Sequence, residues 1–367
     1  MKFICSCESL RQEIEYAMNF STQRNSLAIT SNVLLENSND MLTIKATDQK
    51  MGYIAKIPVQ TLIPGKATVF CDKFLAILKT LPNSDVEFKE EDKKFTIKPL
   101  NASHINVNLK TTDPSKYPDL AEVDESLYFS LTQKDFNDMT DKTSFAVGED
   151  SARFFLTGVY MEKKDGKLVM VATDGRRLAL CNRVFEQEIP DFIPVIVPVR
   201  FLQLIKSIST NEGIFSLAIT PANIFAKIGD RIIYSNLIAS TYPNYSRVIP
   251  KELKYDCRMK VEDMEKAISL ISILVESKSK RIFIDLNPDG VMVSGENNEY
   301  GDSKQIIKCE YDGPEAKISF NYNLLLTPIK KIDSEYFKIS YNNPSQAMII
   351  QPEPEKDYLY VLMPMQV

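Results

Sequence analysis

The chain repeats itself. LTIKATDQKMGYIAKIPV at residues 42–59 returns as LVMVATDGRRLALCNRVF at residues 168–185, each setting Ala-Thr-Asp among alternating apolar positions. The offset is 126 residues (Ala46 to Ala172). FLAILKTL, starting at Phe74, returns as FLQLIKSI at Phe201, an offset of 127, with Lys79 and Lys206 in matching places. Tyr117-Pro118-Asp119 returns as Tyr242-Pro243-Asn244, an offset of 125. A weaker third copy runs through LNPDGVMVSG at residues 286–295 and FNYNLLLTPIKKI from Phe320. There Ser294-Gly295-Glu296 replaces Ala-Thr-Asp, and Pro328 interrupts a helical pattern. Proline has no N–H to donate, so it must sit near the start of that helix or kink it. Repetition at a long fixed period implies one supersecondary plan used several times.

Three units follow, with expected boundaries 1–123, 124–250 and 251–367. Each opens with an amphipathic helix: residues 8–20, 133–145 and 261–275. Alternating strands and a turn come next, then a second helix near Asp72, Pro198 and Asn321, then more strands. The expected fold class is α+β, each unit packing two helices on antiparallel sheets with roughly eight short strands.

Composition removes most enzyme classes. The single histidine, His104, cannot build a His-rich zinc site. With 12 glycines, the chain has no G-x-x-x-x-G-K-[ST], no G-x-G-x-x-G and no G-x-S-x-G. The six cysteines include no C-x-x-C; Cys5 and Cys7 form the one close pair, and reduced thiols are expected. No cofactor and no metal are expected. The net charge of −5 argues against a protein held to nucleic acid by bulk positive charge. No run of 18 apolar residues and no secretory h-region is present, so the expectation is a cytoplasmic protein with no membrane partner.

Three blocks then carry a resemblance. ATDGRRLA at residues 172–179, YPNYSRVIPK at residues 242–251 and the ending YVLMPMQV resemble the bacterial DNA sliding clamp family, the beta subunit of the replicative DNA polymerase III holoenzyme. Arg176 stands where the family commonly has histidine, and Gln366 and Val367 depart from its Arg-Leu ending. The resemblance spans the whole chain. It implies a head-to-tail homodimer, a six-domain ring of clamp domains whose helices line a hole for double-stranded DNA. Such a ring is not an enzyme. It is a processivity factor that needs a separate clamp loader and holds DNA by topology, without sequence preference. An acidic chain suits that role, because strong phosphate contacts would slow sliding. Counted over 8–20, 72–81, 133–145, 198–210, 261–276 and 321–333, the six expected helices hold 10 basic and 12 acidic residues, so net helix charge alone does not point to DNA.

The resemblance also implies sites. A partner-peptide groove would be lined by Leu156, Thr173, Gly175, Arg176, Arg177, Leu178, Pro243, Arg247, Val248, Val361, Met363, Pro364 and Met365. Adaptable methionines suit a groove that accepts several partners. The replicative polymerase, the clamp loader, repair polymerases and ligase would each insert a short linear peptide with a glutamine and terminal apolar residues. DNA would meet Arg24, Lys79, Arg153, Phe154, Phe155, Arg200 and Lys206. The dimer seam would set Ile105 and Val107, on a strand near residues 104–109, against Ile273 and Leu274 at the end of the 261–275 helix. Asp174 reads as a turn former, since no partner carboxylate or histidine lies near it in sequence. Two rival readings are an enzyme with a site scattered over loops and a monomeric repeat scaffold that binds peptides but not DNA.

Overall fold

The computed structural model describes residues 1–22, 28–102 and 104–366. Among these residues lie six α-helices: α1 (Cys7–Ala17), α2 (Cys71–Thr80), α3 (Gln133–Thr143), α4 (Val199–Ile208), α5 (Val261–Ile271) and α6 (Tyr322–Ile329). Their apolar residues recur at helical spacing and face inward: Leu10, Ile14 and Ala17 in α1, and Met264, Ala267, Ile268 and Ile271 in α5. α1, α3 and α5 each end in a turn of 3-10 helix, at Met18–Phe20, Ser144–Ala146 and Ser272–Leu274. Pro328 falls in the last turn of α6 rather than near its start, and the Asn321 side chain caps that helix by accepting from the Asn323 amide at 3.0 Å.

The chain divides into two compact units. The first comprises Met1–Gln133 and Arg200–Leu237 and holds one thirteen-stranded sheet. Its core contains an aromatic cluster in which Phe88 stacks on Phe3 (centroids 5.0 Å apart) while Phe74 meets Phe95 edge-on at 5.6 Å. The second comprises Lys134–Val199 and Ile238–Val367 and holds a nine-stranded and a four-stranded sheet. Gly295 lets α5 approach the four-stranded sheet: a Cβ there would come within 2.7 Å of the Ile271 and Val275 side chains.

One strand joint is made twice. In the first unit Arg231–Asn236 pairs antiparallel with Met51–Pro58, Ile232 opposite Ile54. In the second unit Tyr358–Leu362 pairs antiparallel with Arg177–Arg183, Val361 opposite Leu178. Met51 and Arg177 are 126 residues apart and Arg231 and Tyr358 are 127 apart, so the joint follows the sequence repeat. A charged group sits beside each joint. Arg231 grips the buried Glu13 of α1 through Nη2–Oε1 (2.5 Å) and Nε–Oε2 (2.9 Å), and Tyr53 donates to the same carboxylate at 2.5 Å. Arg183 reaches Asp135 and Asp138 of α3. The third copy of the strand would be Gly301–Ile307. It is an edge strand of the four-stranded sheet, paired only with Gly290–Asn297 among the described residues.

Candidate functional site

The Ala-Thr-Asp copies build the same turn. Thr173 Oγ1 donates to the Arg177 carbonyl at 2.5 Å and accepts from the Gly175 amide at 3.0 Å. Asp174 Oδ1 accepts from the Arg176 and Arg177 amides at 2.8 and 3.1 Å. In the first copy Thr47 bonds the Met51 carbonyl and the Gln49 amide, while Asp48 accepts from the Lys50 and Met51 amides. Asp174 is therefore engaged in closing a turn. The third turn residue takes a left-handed conformation in both copies, φ 89° at Gly175 and 71° at Gln49.

Beside the second turn the chain gathers apolar side chains. Leu156, Leu178 and Val361 are all buried in one cluster with Val169, Val171, Ile196, Tyr242 and Ile349. Strand pairing places them: Leu178 faces Val361, which in turn faces Ile349. Tyr242 stacks on Tyr160 with ring centroids 4.8 Å apart. Glu162 accepts from the Tyr160 hydroxyl at 3.1 Å and the Tyr245 hydroxyl at 2.6 Å. Burial, reinforced by the Glu162 charge, pushes the Tyr160 phenol up to about 12. Both rings therefore stay neutral donors that fix one wall.

Among the other residues expected in a groove, Val248 is 55% exposed and Met363 46%, with Pro243, Arg247, Gly175 and Arg176 exposed as well; the neighbouring Phe154 is 50% exposed. Pro364 and Met365 are half-buried. A concavity of about 380 Å³ on the same sheet is lined by Val169, Leu180, Tyr245 and Ile249 together with polar residues. Arg177 points inward: it bonds Asp174 Oδ2 at 2.9 Å and the Phe145 carbonyl at 2.7 Å. The matching place in the first repeat differs. A concavity of about 750 Å³ there includes Leu34, Ile54 and Tyr117, but its floor carries Glu36 bridged to Lys45 (2.6 Å) and Lys66 (2.5 Å). Lys45 occupies the position that is Val171 one repeat later. Of these two copies, the second has the apolar floor.

The expected DNA residues fall in both units. In the first, Lys79 pairs with Glu15 at 2.6 Å, Arg200 with Asp48 at 3.1 Å and the Asn19 carbonyl, and Lys206 is exposed. In the second, Arg153 is half-exposed and pairs with Asp150 at 3.3 Å, and Phe154 meets Phe155 edge-on. Phe155 is half-buried and packs against the cluster of Leu156, Leu178 and Val361. Arg24 lies outside the described residues.

Of the expected seam, Ile273 is 73% exposed and Leu274 half-buried. The strand expected near 104–109 runs instead from Val107 to Thr112, with Ile105 in the segment before it. The Ala102 carbonyl accepts the Ile105 amide, which bends the chain just ahead of the strand. Sequence reasoning missed Ile349, Ile249 and Leu253, which lie in or against this apolar cluster, and the edge strand Gly301–Ile307. The apolar run Met348-Ile349-Ile350 was the available signal for Ile349. Among the described residues no group of three or more His, Cys, Asp or Glu is placed to hold a metal, and no helix is long and apolar enough to cross a membrane.

Comparison with known proteins agrees along the whole chain. Residues 1–121, 130–244 and 246–366 match the family models for the N-terminal, central and C-terminal domains of the DNA polymerase III beta subunit. The chain is 34% identical to the beta sliding clamp of Treponema pallidum, with all of both chains covered. It superposes on the DNA polymerase III subunit beta of Pseudomonas aeruginosa with a TM-score of 0.94 at 26% identity, both chains fully covered. A second structure of the Pseudomonas aeruginosa clamp, bound to griselimycin, gives a TM-score of 0.93 at 26% identity, again with both chains fully covered. Three domains, each with helices laid on a sheet, are therefore those of the family. The chain belongs to the DNA polymerase III beta subunit family, the beta sliding clamps.

Proposed function

We propose that two copies of this chain close head to tail into a six-domain ring around duplex DNA. Each of three domains, close to 1–123, 124–250 and 251–367, lays two helices on antiparallel sheet. The ring is a processivity factor without a catalytic site: it slides on DNA and tethers the replicative polymerase through the groove.

The carrying observation is the repeated strand joint. Met51–Pro58 takes Arg231–Asn236, and Arg177–Arg183 takes Tyr358–Leu362. The third partner, Gly301–Ile307, is left at an edge, and the counterpart of the other two strands is Val107–Thr112 in the first repeat. The equivalent joint pairs Gly301–Ile307 of one copy with Val107–Thr112 of the next. Ile306 is 72% exposed in the single chain, as is Ile273 at 73% nearby in the same sheet-and-helix layer. Pairing the two edges covers both and removes an aggregation-prone edge. Ile105, Val107, Ile273 and Leu274 then belong to the seam.

Arg153, Phe154, Arg200, Lys79 and Lys206 serve the DNA path as weak contacts, and Arg24 is assigned to it on the resemblance alone. Leu156, Leu178 and Val361 form the groove floor; Pro243, Arg247, Val248, Met363, Pro364 and Met365 form its rim with the 173–177 turn. Clamp loader, repair polymerases and ligase use the same groove.

The test is retention on DNA after loading by a purified clamp loader with ATP, comparing nicked circular with linearised plasmid at moderate salt. Retention on circles with loss from linear ends is expected. Equal loss from both, with loading verified, would overturn encirclement and leave the monomeric peptide scaffold. The native mass should be about 83 kDa, twice the chain's 41.7 kDa.

A further inference from the structure

We propose that Ser319 is a positioning residue that holds the end of the chain as a wall of the groove. The inference rests on reading Met363, Pro364 and Met365 as groove residues.

The last strand stops at Leu362, and residues 363–366 have no regular partner strand. A chain end in that state normally frays. Here it is fixed at three places. The Met363 amide donates to the Arg176 carbonyl at 3.0 Å, which ties the tail to the groove turn. Ser319 then takes both backbone groups of Met365: its carbonyl accepts the Met365 amide at 2.8 Å, and its hydroxyl donates to the Met365 carbonyl at 2.8 Å. Arg281 Nη2 reaches the Gln366 carbonyl at 3.2 Å. Ser319 is 1% exposed, on the edge strand Ala316–Asn321 of the four-stranded sheet, so its hydroxyl is itself fixed.

The consequence concerns binding. Met363 is 46% exposed between the Arg176 and Ser319 anchors, so its side chain is presented from a backbone held on both sides. A wall ordered before the peptide arrives spares the complex the entropy of ordering it afterwards. Ser319 touches no peptide in this account; it acts through Met365.

The experiment measures the affinity of a fluorescent synthetic peptide, one glutamine followed by a Leu-Phe end, by anisotropy on the full-length dimer. Four proteins are compared: the natural chain, Ser319→Ala, a truncation lacking residues 365–367, and the truncation carrying Ser319→Ala. Ser319→Ala is expected to weaken binding about 3–10-fold, the truncation at least as much, and Ser319→Ala to add nothing in the truncated chain. Arg281→Leu should give a smaller loss that the truncation likewise abolishes, and this variant serves if Ser319→Ala folds poorly. If the truncation weakens binding while Ser319→Ala and Arg281→Leu do not, the positioning role is refuted and the groove reading stands. An equal loss from Ser319→Ala in both backgrounds also refutes it, since the effect would then bypass the tail. If the truncation itself leaves affinity unchanged, the tail is no part of the groove and the underlying reading fails.

Discussion

The Tyr360 hydroxyl donates to the Leu324 carbonyl at 2.8 Å, the one carbonyl in α6 that Pro328 leaves without its helical partner. In an α-helix that carbonyl would accept the amide four residues on, and proline has none. Tyr360 lies in the last strand and is fully buried. The bond thus lets a proline persist inside the helix and fastens the strand that carries Val361 to α6. Tyr360→Phe should destabilise the protein by about 1 kcal/mol in urea unfolding. In a Pro328→Ala background, where the amide returns, the same change should cost clearly less. An identical cost in both backgrounds would show that the two residues are not coupled.

The paired turns make a prediction of opposite sign at equivalent positions. A side chain at Gly175 must adopt φ near 89° and would meet Arg153 Nη1 at 3.0 Å from its Cβ. Gly175→Ala should cost about 1–2 kcal/mol and weaken peptide binding. Gln49 already bears the left-handed conformation, so Gln49→Gly should be neutral or stabilising by up to about 1 kcal/mol. Thermal unfolding of the two variants side by side decides it.

Floor and rim should separate in their effects. Leu178 is 2% exposed, and Leu178→Ala should cost about 2–5 kcal/mol, so its loss of peptide binding would not be diagnostic. Val248 is 55% exposed. Val248→Asp should leave the melting temperature nearly unchanged while weakening the fluorescent peptide more than tenfold. Unchanged affinity there would remove Val248 from the groove.

The Glu36 site links stability to acid. Burial disfavours its charge, yet Lys45 and Lys66 more than offset this and hold the carboxyl below its ordinary 4.5. A depressed carboxyl contributes stability that is complete above the ordinary value and fades as pH falls through the depressed one. Glu36→Gln should therefore cost about 0.5–1 kcal/mol at pH 7, and the gap to the natural chain should close below pH 4.5. Urea titrations at pH 7 and pH 3 check this; a gap of constant size would assign the loss to packing instead.

At the proposed seam, Ile306→Asp places a charge on the edge strand Gly301–Ile307, where Ile306 is 72% exposed. The folded chain should tolerate it, and the dimer should not. Sedimentation should then report one chain's mass with an unchanged far-ultraviolet spectrum. A dimer surviving at low micromolar concentration would move the seam elsewhere.

The repeat was legible in sequence because local rules enforce it. Alternation sets the strands, helical spacing sets α1 to α6, and Thr-Asp turn chemistry acts within five residues. The same locality identified Asp174 as a turn former, whereas Leu156, Leu178 and Val361 were named by the family resemblance. What the sequence alone did not decide were relations between residues tens of positions or more apart. Nothing local says that Arg177 turns inward to Phe145, that Phe155 packs against the Leu178–Val361 cluster, or that Tyr360 completes α6 beneath Pro328. Nor does periodicity say that Met365 lies on Ser319, 46 residues away, or that the third repeat leaves Gly301–Ile307 at the edge of its sheet. Those depend on which surfaces meet when the sheets pack, and burial and register, unlike propensity, are properties of the folded whole.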